Sequence, residues 1–381
     1  MLFYAGYFDD VPIQFDKAEL YTFSNPRNAV YFQDGTTGKP HNDAPLGKWL
    51  KLYDSDGAWG MVPCGGNMEK LILPQVLTGE RKTYREWYHR LYWSVRNLNF
   101  NSREASEVGH FDMAVYDLMS RKAGMPLHRY LGAQRDQVTV YASGVSCFST
   151  DQQIVDEVSR YRDEGFSYLK MKVGTDFGRN MQRDVQRVKL VRQTVGDQMK
   201  IAIDANQAWS WQEALKFAEM VQPYGIDWFE EPVNTYDYEG FRQLAARAPM
   251  AISTGECFSS GLSFDPLVEA GVKHFQPIPS KVMSIGDWMH VRDLARENGL
   301  RISSGGYSQI SAACIATAHE DSMVEWLLAR RRILNPYFSV APTIEKGVFH
   351  LPSTPGVPLR LDLEKLMADR LIQKVEYFYA K

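Results

Sequence analysis

The chain contains IAIDAN at residues 201–206, WFEEP at 228–232 and ISTGE at 252–256, and in each segment an acidic residue closes a short apolar run. These acidic residues, Asp204, Glu230 and Glu256, stand 26 residues apart. That interval is about the length of one strand, one helix and their loops, the unit that repeats in a β/α barrel. The spacing therefore predicts a parallel barrel in which the three carboxylates meet at the mouth formed by the carboxyl ends of the strands.

Three carboxylates at one mouth repel each other unless a cation lies among them. Oxygen-only ligands suit a hard divalent ion, and Mg²⁺ is the first choice. Asn206 shares a strand face with Asp204 and is expected to support it from outside the ligand set. Strand alternation turns only one residue of the Glu230–Glu231 pair inward, so we assign Glu230 as the ligand and Glu231 as its support. The pattern predicts a metal-assisted enzyme.

Two lysines end the preceding strand candidate, in the segment YLKMKVG at residues 168–174. Residues two apart share a face of a strand, so Lys170 and Lys172 are expected to point into the barrel while Met171 packs against the outer helices. Mutual repulsion and partial burial are expected to lower the pKa of at least one lysine. A neutral amine could then serve as a base.

The periodicity of the chain divides it into three predicted parts. Residues 1–135 form an α+β region, residues 136–340 form the barrel, and residues 341–381 pack back on the first region. Within the barrel, apolar runs predict eight strands, at residues 138–145, 168–173, 200–205, 227–230, 251–255, 274–278, 300–304 and 323–327. Amphipathic patterns predict helices at residues 151–164, 179–195, 211–221 and 286–298 within the barrel, and at 85–97 and 107–123 before it.

Composition excludes several classes of protein. The chain of 381 residues has a net charge of −3, which gives no general attraction to nucleic acid or to an anionic membrane. The basic run at residues 329–332 is interpreted as a solvated or ion-paired face. The four cysteines form no CxxC pair, so neither a disulfide framework nor a zinc site is expected. No signal peptide or membrane-length apolar run is evident, and a cytoplasmic location is expected.

The motifs KMK, DAN, EEP and GE, in this order and spacing, resemble those of the enolase superfamily, and within it the mandelate-racemase-type branch. The resemblance covers nearly the whole chain. It implies a modified (β/α)₇β barrel of the TIM type and an N-terminal α+β capping domain that the C-terminal tail completes. It also implies Mg²⁺ bound by Asp204, Glu230 and Glu256, a small carboxylate substrate and a homo-oligomer.

The chemistry implied by the resemblance is abstraction of a proton α to a carboxylate. By analogy Lys172 is the base, Lys170 holds the substrate carboxylate and tunes Lys172, and Glu325 is the acid on the eighth strand. The polar loops at residues 23–28 and 33–42 are expected to fold over the mouth and select the substrate, with Arg27, Lys39 and His41 available for anions. His110, on the predicted helix 107–123, is expected to be a packed or surface residue.

The branch usually carries a second base, a His that ends strand seven and is held by an Asp that ends strand six. In this chain Gly305 stands at the position of that His, and Ile278 stands at the position of that Asp. A one-base reaction, such as elimination of water, is then easiest to write. The resemblance implies acid sugars as the substrate class, so dehydration of an acid sugar to a 2-keto-3-deoxy acid is the leading prediction. Lys281, Ser304 and Tyr307 are candidates for substrate contact.

Two alternatives stay open at this point. One is a racemase, epimerase or cycloisomerase that uses Lys281 or an unrecognised second base. The other is a metal-binding homologue without catalytic activity.

Overall fold

A computed structural model of the chain describes residues 6–24, 35–38, 46–98, 102–327 and 334–381. The strands are β1 (Pro12–Ile13), β2 (Phe15–Phe23), β3 (Lys48–Asp54), β4 (Trp59–Cys64), β5 (Lys82–Thr83), β6 (Gln137–Gly144), β7 (Tyr168–Lys172), β8 (Lys200–Asp204), β9 (Ile226–Glu230), β10 (Ala251–Thr254), β11 (His274–Phe275), β12 (Arg301–Ser304), β13 (Met323–Leu327), β14 (Phe338–Val340), β15 (Thr343–Glu345), β16 (Val348–His350), β17 (Arg360–Leu361) and β18 (Ile372–Tyr379).

Helices precede and alternate with the strands of the barrel. They are α1 (Met68–Leu71), α2 (Leu73–Val76), α3 (Tyr84–Val95), α4 (Arg103–Lys122), α5 (Leu127–Tyr130), α6 (Asp151–Asp163), α7 (Met181–Val195), α8 (Trp211–Val221), α9 (Tyr238–Arg247), α10 (Asp265–Glu269), α11 (Ile285–Glu297), α12 (Ser308–Ile315) and α13 (Leu363–Ala368).

The eight strands β6 to β13 form a closed parallel barrel. Each strand pairs with the next in the chain, and β13 pairs with β6 to close the ring. The predicted barrel fold is therefore confirmed. The largest difference is β11, which is predicted at residues 274–278 but ends at Phe275. Pro277 has no N–H to donate to a neighbouring strand, so the chain leaves the ladder early.

Side-chain caps set the starts of several helices. Thr150 and Ser210 cap α6 and α8, and each forms a capping box with the residue three positions later. Helix α4 begins at Arg103, four residues before the predicted start, because the Ser102 side chain accepts a hydrogen bond from the backbone N–H of Ala105. The earlier start adds one helical turn, which includes Ser106, next to the barrel.

A four-stranded antiparallel sheet in the order β18–β2–β3–β4 accompanies the barrel. The C-terminal strand β18 pairs along β2, so the end of the chain completes a sheet that the N-terminal segment begins. This pairing agrees with the predicted capping domain that the tail completes. The domain boundaries at residues 135 and 340 stay a prediction. In the described part of the chain, no helix is long and apolar enough to span a membrane.

Helix α4 lies between this sheet and the barrel, and the buried carboxylate of Asp117 fixes it there. One oxygen accepts the backbone N–H of Met61 in β4 at 2.7 Å and the Arg121 guanidinium at 2.9 Å. The other oxygen accepts the backbone N–H of Val357, from the C-terminal segment, at 2.6 Å. A single side chain thus joins three segments that are distant in sequence.

Replacement of Asp117 by Ala is expected to lower the free energy of unfolding by about 2–5 kcal/mol. The substitution leaves two buried backbone N–H groups without acceptors and removes the partner of the partly buried Arg121 guanidinium. Chemical denaturation monitored by circular dichroism measures the change. The control is Asp163→Ala, because Asp163 is a solvent-exposed residue of α6 whose ion pair with Arg162 lies at the surface. Equal effects of the two substitutions would contradict the anchoring role.

Candidate active site

The predicted lysines and acids meet at the carboxyl ends of three adjacent strands. Lys172, Asp204 and Glu230 are the last residues of β7, β8 and β9, and the strand register pairs Lys172 with Asp204 and Asp204 with Glu230. Alternation along β7 places Lys170 on the same inward face as Lys172, while Met171 is fully buried. The structure therefore brings both lysines to the carboxylates, as the sequence predicts.

Short ion pairs join these groups. The ammonium of Lys170 lies 2.7 Å from Glu230, 2.9 Å from Glu325 and 3.4 Å from Asp204. The ammonium of Lys172 lies 2.5 Å from Asp204 and donates to the amide oxygen of Asn206 at 2.8 Å. Two positive and three negative side chains therefore share one buried volume.

These contacts determine the direction of the lysine pKa shifts. Burial lowers the pKa of Lys170 and Lys172, but the carboxylates of Glu230 and Asp204 outweigh burial and raise the pKa of both lysines above the ordinary value. The expectation of a lowered lysine pKa is therefore wrong for this arrangement. The prediction is based on repulsion between the two lysines, but the carboxylates lie closer to each ammonium and have the larger effect on the lysine pKa.

The carboxylates respond to burial and to one another. Burial raises the pKa of Glu230, Lys170 opposes the shift, and the charges of Asp204 and Glu256 add to it. Burial also raises the pKa of Asp204, but Lys172 and Lys170 outweigh it and hold that pKa below its usual value. Glu325 behaves in the same way, because Lys170 outweighs the effect of burial. The negative charges lie close enough to disfavour each other, which a cation among them would relieve.

Glu256 follows β10 on a tight turn. Gly255 has a φ of 137°, and a Cβ there would lie 2.6 Å from the ring of Phe264, so only glycine fits. The turn leaves a Glu256 carboxylate oxygen 3.5 Å from the amide nitrogen of Asn206, whose backbone N–H binds Asp204 at 2.9 Å. Asn206 thus links Glu256 to Asp204. The donors of Asp204, Glu230 and Glu256 are all oxygen, and this set fits a hard divalent cation.

Among the described residues, Glu231, Glu256 and Cys257 form the one group of three or more ligand side chains whose atoms lie within 4.8 Å of one another, and Asp204, Glu230 and Glu256 do not meet this distance. Burial, together with the charges of Glu231 and Glu256, raises the pKa of the Cys257 thiol to about 12. A protonated thiol is a poor metal ligand. Burial and the charge of Glu256 also raise the pKa of Glu231 to about 7. The Glu231 carboxyl binds Gln207 and Thr235, and its support of Glu230 stays a prediction.

Gly305 and Ile278, which stand at the positions of the missing His and Asp, lie next to other residues of the site. A Cβ at Gly305 would lie 2.4 Å from a carboxylate oxygen of Glu325, and one at Gly306 would lie 2.8 Å from Ile278. Glu325 accepts hydrogen bonds from Ser143 at 2.8 Å and lies beside Lys170. Glycine at position 305 therefore leaves room for the Glu325 carboxylate.

Two of the three residues predicted to contact substrate border a cleft of about 350 Å³. Lys281 and Tyr307 line it together with Glu256 and Glu325. Lys281 also donates to the backbone carbonyl of Glu256 at 2.9 Å. Ser304 differs, because its fully buried hydroxyl donates to the carbonyl of Pro277 at 2.7 Å. Its hydrogen bond therefore joins β12 to the segment after β11.

Part of the predicted loop at residues 33–42 lies at this mouth. The carbonyl of Gly35 accepts the Cys147 N–H at 2.8 Å, and the hydroxyl of Thr36 donates to Asn206 at 2.6 Å. A Cβ at Gly35 would lie 3.3 Å from the side chain of Lys172. The described residues 35–38 therefore cover the end of β7. Arg27, Lys39, His41 and the basic run 329–332 lie outside the described residues.

Two further side chains border the site, Gln276, which is not among the predicted site residues, and His110, which is predicted to be a packed or surface residue. The amide of Gln276 donates to Glu230 and, at 2.9 Å, to Ser253, while its oxygen accepts from Tyr141 at 3.2 Å. Strand alternation after His274 could have indicated that Gln276 points inward. His110, on α4, lines the cleft. The residues around His110 in the sequence do not predict this position, because α4 and the barrel segments that line the cleft are distant in the chain.

A buried ion pair fixes the backbone that carries Lys172. The guanidinium of Arg187 on α7 donates to the carbonyls of Lys172, Val145 and Ser146 and to the carboxylate of Asp184, at 2.7–3.1 Å. Val145 has a φ of 52°, an unfavourable conformation for a β-branched residue. Arg187 thus holds a strained turn and the end of β7 together.

A family model described as Enolase C-terminal domain-like matches residues 153–366. The chain belongs to this family. Its relatives include L-talarate/galactarate dehydratase of Salmonella typhimurium, 31% identical over 218 residues, which are 57% of this chain and 54% of that protein. They also include 3,6-anhydro-alpha-L-galactonate cycloisomerase of Streptomyces coelicolor, 25% identical over 328 residues, which are 83% of this chain and 89% of that protein. These names represent the two reaction classes that the sequence predicts.

A crystal structure of the Salmonella typhimurium dehydratase, liganded with Mg and L-lyxarohydroxamate, has the same fold as this family member. The TM-score is 0.82 at 23% identity, and the superposition covers 97% of this chain and 95% of that one. The likeness extends beyond the matched family region to the four-stranded sheet β18–β2–β3–β4. The predicted enolase-superfamily fold is confirmed over nearly the whole chain.

Replacement of Arg187 by Met is expected to lower the free energy of unfolding by about 3–5 kcal/mol, because Asp184 loses its buried partner and three carbonyls lose a donor. Denaturant unfolding measures the change. The control is Arg183→Met on the same helix, whose ion pair with Asp151 lies at the surface and is worth at most about 1 kcal/mol. A loss at position 187 no larger than the loss at 183 would contradict this role of Arg187.

Proposed function

We propose that this enzyme-family member abstracts the proton α to the carboxylate of an acid sugar in a Mg²⁺-dependent reaction and releases water to give a 2-keto-3-deoxy acid. The observation that carries this proposal is the meeting of Lys170 and Lys172 with Asp204 and Glu230 at the ends of three adjacent strands. A proton α to a carboxylate is very weakly acidic. Its removal therefore requires a base and concentrated positive charge in the same small volume.

Asp204, Glu230 and Glu256 would hold the metal ion, and Asn206 and Gln276 would orient their carboxylates. When bound there, Mg²⁺ supplies Lewis-acid charge that stabilises negative charge developing on the substrate carboxylate. The oxygen-only donor set and the mutual repulsion of the acids support this choice of ion. The relative of known structure that carries Mg supports it independently.

The exposure of the two lysines supports different roles for them. The Lys172 side chain is 19% exposed and reaches the mouth, whereas the Lys170 side chain is 1% exposed and lies beneath it. We therefore assign Lys172 as the base that takes the α-proton, which requires a bound cation to offset the Asp204 carboxylate that raises the pKa of this amine. Lys170 remains charged between Glu230 and Glu325 and holds the substrate carboxylate. Glu325 positions the substrate from the eighth strand, with Ser143 fixing its orientation.

The substrate class rests on two further points. The lining of the cleft of about 350 Å³ includes Lys281, Ser280 and Tyr307 beside apolar Ile278 and Leu327, and its charged and hydroxyl groups suit a small polyhydroxy acid. Relatives named dehydratase include two that act on sugar acids, L-talarate/galactarate and arabinonate. Isomerisation through the same enolate is the second candidate function. It is supported by the relative named cycloisomerase, which aligns over 83% of this chain.

Lys172→Met is expected to reduce both dehydration and exchange of the α-proton with deuterated solvent below detection, because no other amine takes its place as the base. A panel of aldonic and aldaric acids, incubated with Mg²⁺, is assayed for keto-acid product and by proton NMR for exchange. The control is Lys189→Met, since Lys189 is exposed on α7. Measurable turnover by Lys172→Met would refute the assignment of the base, and exchange without water loss in the wild type would favour the isomerase.

Asp204→Asn is expected to weaken Mg²⁺ binding at least 100-fold, because it removes a charged ligand from a three-carboxylate site. Isothermal titration calorimetry of the purified protein with Mg²⁺ alone measures this without a substrate. Cys257→Ser serves as the control, since the thiol belongs to the neighbouring Glu231–Glu256–Cys257 group. If Cys257→Ser weakens binding and Asp204→Asn does not, the metal assignment is wrong.

A further inference from the structure

We propose that His110 on helix α4 is the second acid–base group of this site and faces the substrate from the side opposite Lys172. This inference rests on the proposed function and adds to it the source of the proton for the departing hydroxyl group. The proposal gives α4 the role of second acid–base group. Strand β12 cannot supply this group, because the residue that follows it is Gly305.

Close packing of α4 on the barrel brings His110 to the cleft. A Cβ at Gly109 would lie 2.4 Å from the carbonyl oxygen of Ser280, so only glycine allows the helix to approach this closely. One turn later, Asp112 accepts the backbone N–H of Ile285 at 2.7 Å. These contacts hold the helix against the segment that joins β11 to α11. The position of His110 is therefore fixed by packing on both sides of it in the sequence.

The imidazole of His110 borders the same cleft as the candidate active-site acids. His110 and Ser106, four residues apart and thus on one face of α4, line it together with Glu256 and Glu325. The His110 side chain is 12% exposed, and the carboxylate of Glu107 lies 3.7 Å from its Nδ1. Among the described residues, none forms a hydrogen bond to buried Nδ1. Because Nδ1 is buried beside Glu107, Nε2 is the ring nitrogen left for a ligand in the cleft.

The order of strands in the barrel places His110 and Lys172 on opposite sides. The ring runs from β6 to β13, so β11 is four strands from β7 in either direction. In an eight-stranded barrel, strands four apart face each other across the axis. Lys172 ends β7, and α4 packs on the segment that follows β11. Lys172 does not line the cleft itself, so a substrate held by both groups would extend from the cleft across the mouth to the amine.

This arrangement supports an anti elimination, in contrast to the syn elimination expected of a single base. Lys172 takes the α-proton, and the electrons of the broken C–H bond form the enolate. The electrons then form the C–C double bond as the β C–O bond breaks, and imidazolium His110 gives its proton to the departing hydroxyl, which leaves as water. The enol product tautomerises to the keto acid. Lys172 gains one proton and His110 loses one, so the step balances without a further reactant.

Other groups in the cleft are less suited to this task. Lys281 donates to the Glu256 carbonyl, and Glu325 is engaged by Lys170 and Ser143. Glu256 belongs to the proposed metal ligands. Tyr307 shares the cleft with His110, and its phenol is a weaker acid near neutral pH than an imidazolium. His110 therefore fits best as the proton donor among the described groups that line the cleft.

The test compares two reactions of full-length His110→Gln on the acid sugar that the wild type dehydrates. Glutamine has a similar size and retains an N–H, but it does not transfer a proton. We expect dehydration to fall about 100-fold or more. Exchange of the α-proton with deuterated solvent should persist, because Lys172 is intact. A role confined to structure would lower both rates together, so the ratio of exchange to dehydration separates the two roles.

Two controls accompany this test. His319→Gln alters an exposed histidine that precedes β13, at the end of the barrel away from the cleft, and should change neither rate. Calorimetry with Mg²⁺ should give equal affinity for wild type and His110→Gln, and exogenous imidazole should restore part of the dehydration rate of His110→Ala.

The outcomes separate this inference from the proposed function. Dehydration by His110→Gln within a few-fold of the wild type, or a parallel loss of exchange and dehydration, would overturn the role of His110 and leave the proposed function standing. A wild-type protein that neither exchanges nor dehydrates any acid in the panel would overturn both.

Discussion

Charge balance in a small buried volume is the constraint on which this site depends. Two lysines and three carboxylates share the carboxyl ends of β7, β8, β9 and β13, where little water reaches them. An isolated charge there would be very unfavourable, so each group is retained because others compensate it. The same crowding makes the site responsive, since a bound cation or an anionic substrate changes the balance for every member. Stability and chemistry therefore depend on the same five side chains.

The backbone around these charges is held by residues that do not take part in the chemistry. Arg187 fixes the ends of β6 and β7 from α7, and Gln276 holds Glu230 from the segment after β11. Asn206 and Glu231 adopt positive φ angles, of 42° and 38°, directly after the strands that carry two of the acids. Strained conformations of this kind persist only where surrounding contacts enforce them. The mouth is thus a preorganised surface on a rigid ring of strands.

The parts of the fold and site that could be predicted from the sequence are those set by local spacing. A period of 26 residues and the alternation of side chains along strands were sufficient to place Lys170, Lys172, Asp204 and Glu230 at one mouth. The lysine pKa shifts could not be predicted in the same way, because their direction depends on distances between strands. The hydrogen bond of Ser304 to Pro277 depends on where β11 ends. The position of His110 depends on how closely α4 approaches the barrel. Gly109 permits that approach, but a glycine in the sequence does not predict it.

Close packing also explains why Gly305 stands where the branch has a histidine. With glycine at position 305, the Glu325 carboxylate occupies space that a larger side chain would need, and there it lies beside Lys170. A barrel-borne base at that position would therefore compete with Glu325 for the same volume. A base or acid carried by α4 avoids this conflict, because it enters the cleft from above the barrel. If His110 acts as proposed, the glycine at the end of β12 is compatible with activity, since α4 reaches the same side of the substrate.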